Sequence, residues 1–138
     1  MNNKTFSSKI EDLRSEGEIG ICEFKNIDFG LNTSILFEFP SGDNNSSVTI
    51  SGKITFDFTL SYVYRHFDFY DSSTVGDSYN KVIVVEDSEL IKELTATRKD
   101  SKEAPRFDFV PMHFRLLFEK GPCIDVVANT YTIEYEKK

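Results

Sequence analysis

The residues best suited to chemistry fall into two small groups: Arg65, His66 and Asp68, and then His113, Arg115 and Asp125. His66 and Asp68 stand two apart, so on a strand both side chains leave the same face, as an acid–base couple or half a metal site requires. Tyr70 continues that face. A metal site takes three or four ligands, and the chain offers two His, two isolated Cys and otherwise ordinary carboxylates, so no metal and no cofactor is assigned. A histidine at a strand end is usually a half-buried structural group, and no catalytic residue is assigned either. In the second group, Arg115 and Asp125 lie on the two arms of one hairpin, on its non-core face. They read as an ion pair of modest value or, with His113, as part of a recognition surface that also carries Leu117, Val127 and Tyr131. That face reads as covered by a helix rather than exposed.

The chain contains no Walker loop, no Gly-x-Ser-x-Gly elbow, no His-Glu-x-x-His and no Cys-x-x-Cys. Sixteen basic against twenty-three acidic residues give a net charge of −7. Such a field repels polyphosphate and attracts basic surfaces, which disfavours nucleic acid as a partner. Asp57, Asp68, Asp71 and Asp77 are close in sequence, with few bases between them apart from Arg65. The expectation is a non-catalytic protein-binding module, of the acidic inhibitor or immunity type that neutralises a toxic enzyme, docking on a protein with a basic surface. The alternative is a small-molecule-binding protein or small enzyme with an aromatic-lined pocket near His66. No feature sets an oligomeric state.

The N-terminal residues lack the apolar core of a secretory signal, and no apolar stretch approaches the roughly 18 residues needed to cross a bilayer. A cytoplasmic protein with no membrane contact is expected. Cys22 and Cys123, each beside apolar residues, suit reduced core thiols.

These residues must be positioned by a mostly β scaffold. Residues 7–17 read as a short helix capped by Ser7 or Ser8, apolar through Phe6, Ile10 and Leu13, and stopped at Gly17. Strand-like runs follow at residues 18–24 and 34–39, divided by an Asn/Gly-containing loop. From Val48 to Tyr64, apolar and polar residues alternate, which is a strand with one wet face. Its length demands that it bend, coil or divide, and Gly52 is the expected kink. Residues 82–85, Val-Ile-Val-Val, read as a strand covered on both faces. A helix capped by Asp87 or Ser88 follows, with Leu90, Ile91 and Leu94 as its apolar stripe.

The closing segment is a hairpin turning at Lys120-Gly121-Pro122, and a three-residue loop would set Glu119 opposite Cys123 and Arg115 opposite Val127. Beyond Asn129 the apolar parity switches, which calls for a bulge or a change of face. Together these elements predict an α+β fold: a single β-rich domain over residues 1–138, with a strongly twisted, mostly antiparallel sheet or half-barrel covered by two short helices. Phe56, Phe58, Leu60, Phe114, Leu116 and Val126 are the expected core.

Overall fold

The structure, a computed structural model, describes residues 10–14, 20–40, 48–66, 80–99, 109–118 and 121–137. It is built from two antiparallel sheets and one helix. The first sheet has the order β1(Ile10–Asp12), β6(Lys81–Val85), β7(Met112–Leu117), β8(Cys123–Ala128), β5(Ser61–Arg65); the second has the order β2(Glu23–Asp28), β3(Thr33–Pro40), β4(Thr49–Asp57), β9(Thr130–Lys137). The helix α1(Glu89–Lys99) packs on β7.

Apolar side chains from both sheets meet in one core. Ile35, Phe37, Phe39, Ile54 and Phe56 come from the second sheet, and Val82, Phe114, Leu116, Ile124 and Val126 from the first. Strand alternation produces this directly, since residues two apart share a face. Phe56, Phe114, Leu116 and Val126 are buried together as expected, whereas Phe58 and Leu60 are only half-buried.

The long alternating run divides rather than curves, and not at Gly52. Gly52 lies within β4, opposite Phe37 on β3. The break comes at residues 58–60, where Phe58 adopts a left-handed backbone (φ 56°) and the chain leaves one sheet for the other. The parity switch at Asn129 has the same cause, because there β8 of the first sheet gives way to β9 of the second. The two crossings are side by side: Leu60 N–H donates to Val127 O at 2.7 Å, and Asn129 N–H donates to Asp57 O at 2.9 Å. A two-strand ribbon thus turns a corner and serves both sheets, which pack on one core.

Three further expectations are corrected. Ile10 to Asp12 form an edge strand on β6 and not a helix, with Ile10 opposite Ile83. Asp12 Oδ1 accepts the Arg14 backbone N–H at 2.8 Å, which turns the chain and drops Leu13 into the core. Pairing and burial override the helix-like spacing of Ile10 and Leu13; Phe6, Ser7, Ser8 and Gly17 lie outside the described residues. Among the described residues α1 is the one helix. Of the run expected at residues 18–24, residues 20–22 are not strand and β2 begins at Glu23, with a bulge between Phe24 and Asn26; residues 18 and 19 lie outside the described residues.

The closing hairpin keeps the expected faces, yet its register slides by two: Arg115 lies opposite Asp125 and Leu117 opposite Cys123. Alternation cannot tell registers two apart. The turn is closed by Phe118 N–H donating to Pro122 O at 3.2 Å, and it is tight at Gly121, where a Cβ would stand 2.7 Å from Phe24 Cβ and 3.0 Å from Phe118 Cβ. Val82, Ile83 and Val84 are buried on both faces of β6, as their unbroken apolar run implies.

Candidate functional site

The outer face of the first sheet, beneath α1, holds a buried polar network. On β7 and β8 the alternation that sends Phe114, Leu116, Ile124 and Val126 inward sends His113, Arg115, Cys123 and Asp125 outward. β5 adds Val63 opposite Asp125 and Arg65 opposite Cys123. Asp125 sits at the centre, 1% exposed, with three donors on its carboxylate. Arg115 Nε donates to Oδ1 at 2.8 Å, His113 Nε2 contacts the same oxygen at 2.6 Å, and Arg65 Nη1 donates to Oδ2 at 2.7 Å.

Burial alone would push the Asp125 carboxyl up. The hydrogen bonds and charges of His113 and Arg115 outweigh it, and the carboxyl lies below its ordinary value. The neighbouring Cys123 thiol goes the other way, pushed up to about 11 by burial and then by the Asp125 charge.

The network continues into the helix. His113 Nδ1 lies 2.7 Å from Ser88 Oγ, and Ser88 caps α1 by accepting the Ile91 N–H at 3.1 Å. With Asp125 ionised, His113 Nε2 carries the proton of their contact, and in that tautomer Nδ1 accepts the Ser88 hydroxyl. Ser88, His113 and Asp125 therefore form a continuous relay from the helix cap to the sheet. Two hollows flank it. One, of about 430 Å³, is bordered by Arg65, Glu89, Leu90, Glu93, Arg115 and Asp125; the other, of about 490 Å³, by Val85, Ile91, Pro111 and Met112. Ser88 and His113 line both.

A second feature lies where the edges of the two sheets meet. Tyr62 and Tyr64 on β5 are 47% and 39% exposed, and His66 follows on the same parity. Their rings are held in place: Tyr62 stacks on Phe29 with centroids 3.6 Å apart, Tyr64 meets Phe24 edge-on at 6.1 Å, and His66 meets Tyr64 edge-on at 5.7 Å. Leu31 is exposed beside the corner, its carbonyl accepting the Thr59 N–H. A hollow of about 400 Å³ opens between Phe29, Gly30, Thr59, Leu60, Ser61 and Tyr62.

The residues singled out from sequence thus separate into two places. His113, Arg115 and Asp125 come together in the buried network, where Arg115 is directly opposite Asp125 rather than diagonal to it. His66 belongs to the aromatic row and does not line the hollow beside Tyr62. Asp57 is exposed at the corner, where its Oδ2 accepts from Asn129 Nδ2 at 3.3 Å. Asp68, Asp71 and Asp77 lie outside the described residues. Ser88, read as a cap alone, and Arg65, read with His66, are the members sequence reasoning missed. Alternation along β5 separates Arg65 from His66, and only the β5–β8 pairing brings Arg65 to Asp125.

Among the described residues no group of His, Cys, Asp and Glu could hold a metal ion, and no helix is long and apolar enough to cross a membrane. No protein-family model, curated protein or solved structure matches the chain.

Proposed function

We propose that this chain is a protein-binding module that docks through the aromatic row of β5 onto a partner with a basic surface, and that docking involves no catalysis. The observation that carries the reading is the fixed, exposed set of Tyr62, Tyr64 and His66, backed by Phe29 and Phe24. Rings already held by stacking lose little freedom on binding, and Tyr is enriched where interfaces bury their central contacts. The hollow beside Tyr62 and Phe29 is sized for an anchoring side chain of the partner.

Charge selects the partner. A net −7 on a small protein steers cationic surfaces toward it, and Asp57 adds an exposed carboxylate where the chain enters the corner. An enzyme that acts on polyanions presents such a surface at its substrate site, so an acidic module seated there acts as an inhibitor of the immunity type. Nucleic acid, itself anionic, is not a partner in this reading.

The test is affinity capture at low salt from the cells that make the protein, followed by binding kinetics on the captured protein. The expected result is a stoichiometric basic partner whose on-rate falls steeply as the Debye length contracts to roughly 8 Å at physiological salt. Tyr62→Ala with Tyr64→Ala should raise the off-rate roughly 30-fold, as for interface hot spots. No stoichiometric partner, or one that binds the double variant unchanged, overturns the proposal.

A further inference from the structure

The relay under α1 has the parts of a nucleophilic site, and it lies on the outer face of the first sheet, so it does not depend on the docking role of the aromatic row. We infer that Ser88 is an acylatable nucleophile activated by His113 and Asp125, and that the site takes small carboxylic esters.

The geometry meets the requirements one at a time. A serine nucleophile needs a base within hydrogen-bond reach, and Ser88 Oγ is 2.7 Å from His113 Nδ1. The base needs a group that fixes its tautomer, and His113 Nε2 is 2.6 Å from Asp125. Arg65 and Arg115 hold that carboxylate from two sides, which keeps it ionised and oriented despite its burial. The ring nitrogens are used in the opposite sense from the commonest triads, but the chain of donors and acceptors is the same.

The position of Ser88 in the chain fits as well. It stands between β6 and α1, directly after Asp87, whose left-handed backbone (φ 53°) makes a sharp strand-to-helix turn. Such a turn presents a nucleophile beside the first N–H groups of the helix. The N–H groups of Glu89 and Leu90 belong to the first turn and have no intrahelical acceptor, so they can stabilise a developing oxyanion. Capping by itself needs only the Ile91 N–H bond to Ser88. It requires neither a buried histidine behind the serine nor a buried carboxylate behind the histidine.

The two hollows choose the substrate. The acyl part faces Val85, Ile91 and Met112, and the leaving alcohol faces the polar side with Arg65 and Arg115. That side carries four carboxylates, Asp87, Glu89, Glu93 and Asp125, against the two guanidiniums, so an anionic ester is disfavoured and an uncharged one admitted. Ser88 Oγ bonds to the carbonyl carbon while its proton passes to His113 Nδ1. The bond from that carbon to the alcohol oxygen breaks, and His113 returns the proton to the departing oxygen. Water then bonds to the acyl carbon as its proton passes to His113 Nδ1, the bond from that carbon to Ser88 Oγ breaks, and His113 returns the proton to Oγ as the acid leaves.

The experiment is to incubate the folded protein with a fluorophosphonate, which bonds to an activated serine with loss of fluoride, and to map the adduct by peptide mass spectrometry. One adduct on Ser88 is expected, formed in the native protein and not in the same protein unfolded in urea. His113→Gln, with folding checked by circular dichroism, should label roughly 100-fold more slowly, the lower range for loss of a general base. Hydrolysis of p-nitrophenyl acetate should show a burst that the labelled protein lacks. An unlabelled Ser88 in native protein, labelling equal in urea, or labelling unchanged in a folded His113→Gln variant overturns the inference. If that variant does not fold, the comparison of native with urea-unfolded wild type decides alone.

Discussion

Arg115 and Asp125 face each other directly across β7 and β8, with Nε donating to Oδ1 at 2.8 Å beneath the helix. Asp125 is also held by His113 and Arg65, so neutralising it leaves the buried His113 and the half-buried Arg115 without their ionised acceptor. Asp125→Asn should cost about 3–5 kcal/mol at neutral pH, the range for breaking a buried charged pair from one side. The cost should depend on pH in one direction. The folded-state pKa of Asp125 lies below its ordinary value of 3.8, so the stability it provides is present above that value and is lost as pH falls through the folded value. Urea titrations of both proteins from neutral to strongly acid pH should show the gap between them closing only below about 4. A gap that stays constant throughout would mean that the charge of Asp125 contributes nothing.

Phe114 joins the two sheets. It is 2% exposed, its ring centroid 5.4 Å from that of Phe56 and 5.2 Å from that of Tyr131, which meets it edge-on. Phe114→Ala should destabilise the protein by about 3–5 kcal/mol, while Phe114→Leu should cost less than about 2. Equilibrium denaturation gives both values, and near-equal costs for the two variants would place the ring outside the core.

How much was legible in the sequence follows from what alternation can and cannot carry. It placed Phe56, Phe114, Leu116 and Val126 on core faces and marked residues 82–85 as covered on both sides, because burial of a strand face acts on every second residue. It could not say which sheet a strand joins. The run through β4 and β5 keeps its phase across the corner, so one long strand and two strands in different sheets look alike, and Phe58 carries no turn signal. The same limit hid the candidate site. His113, Arg115 and Asp125 were readable as one face of a hairpin, but Arg65 arrives through strand pairing and Ser88 through helix packing, each distant in sequence. The N-terminal segment failed for another reason: the spacing of Ile10 and Leu13 suits a helix, and the free edge of β6 offers backbone partners that outweigh it.

Cys123 is fully buried beside Asp125, and its thiol is pushed from 9.0 up to about 11. Only the thiolate reacts with alkylating agents, so the two-unit rise lowers the reactive fraction roughly 100-fold at mildly alkaline pH. Iodoacetamide at pH about 8 should leave Cys123 unmodified in native protein over times that fully modify it in urea, as read by peptide mass mapping. Rapid native labelling of Cys123 would contradict its burial against Ile83 and Leu117.

Gly52 tests the reassignment of the kink. It lies in the middle of β4, opposite Phe37, and a Cβ there would stand 2.3 Å from Phe37 Cζ and 2.4 Å from Cε2. The absent side chain is the space that the Phe37 ring occupies, fully buried, between the sheets. In an open strand, glycine to alanine gains roughly 0.5–1 kcal/mol by reducing the freedom of the unfolded chain. At this position overpacking should reverse the sign, and Gly52→Ala should destabilise by roughly 1–3 kcal/mol. The reason can be isolated with Phe37→Leu, which shortens the side chain that meets the new methyl group. In the double variant Gly52→Ala should cost about 1 kcal/mol less than in the wild-type background, a coupling expected only for residues in contact. Were Gly52 a kink with open space around it, Gly52→Ala would be neutral or stabilising and would show no coupling to Phe37. Four denaturation curves, for the wild type, each single variant and the double variant, separate the two outcomes.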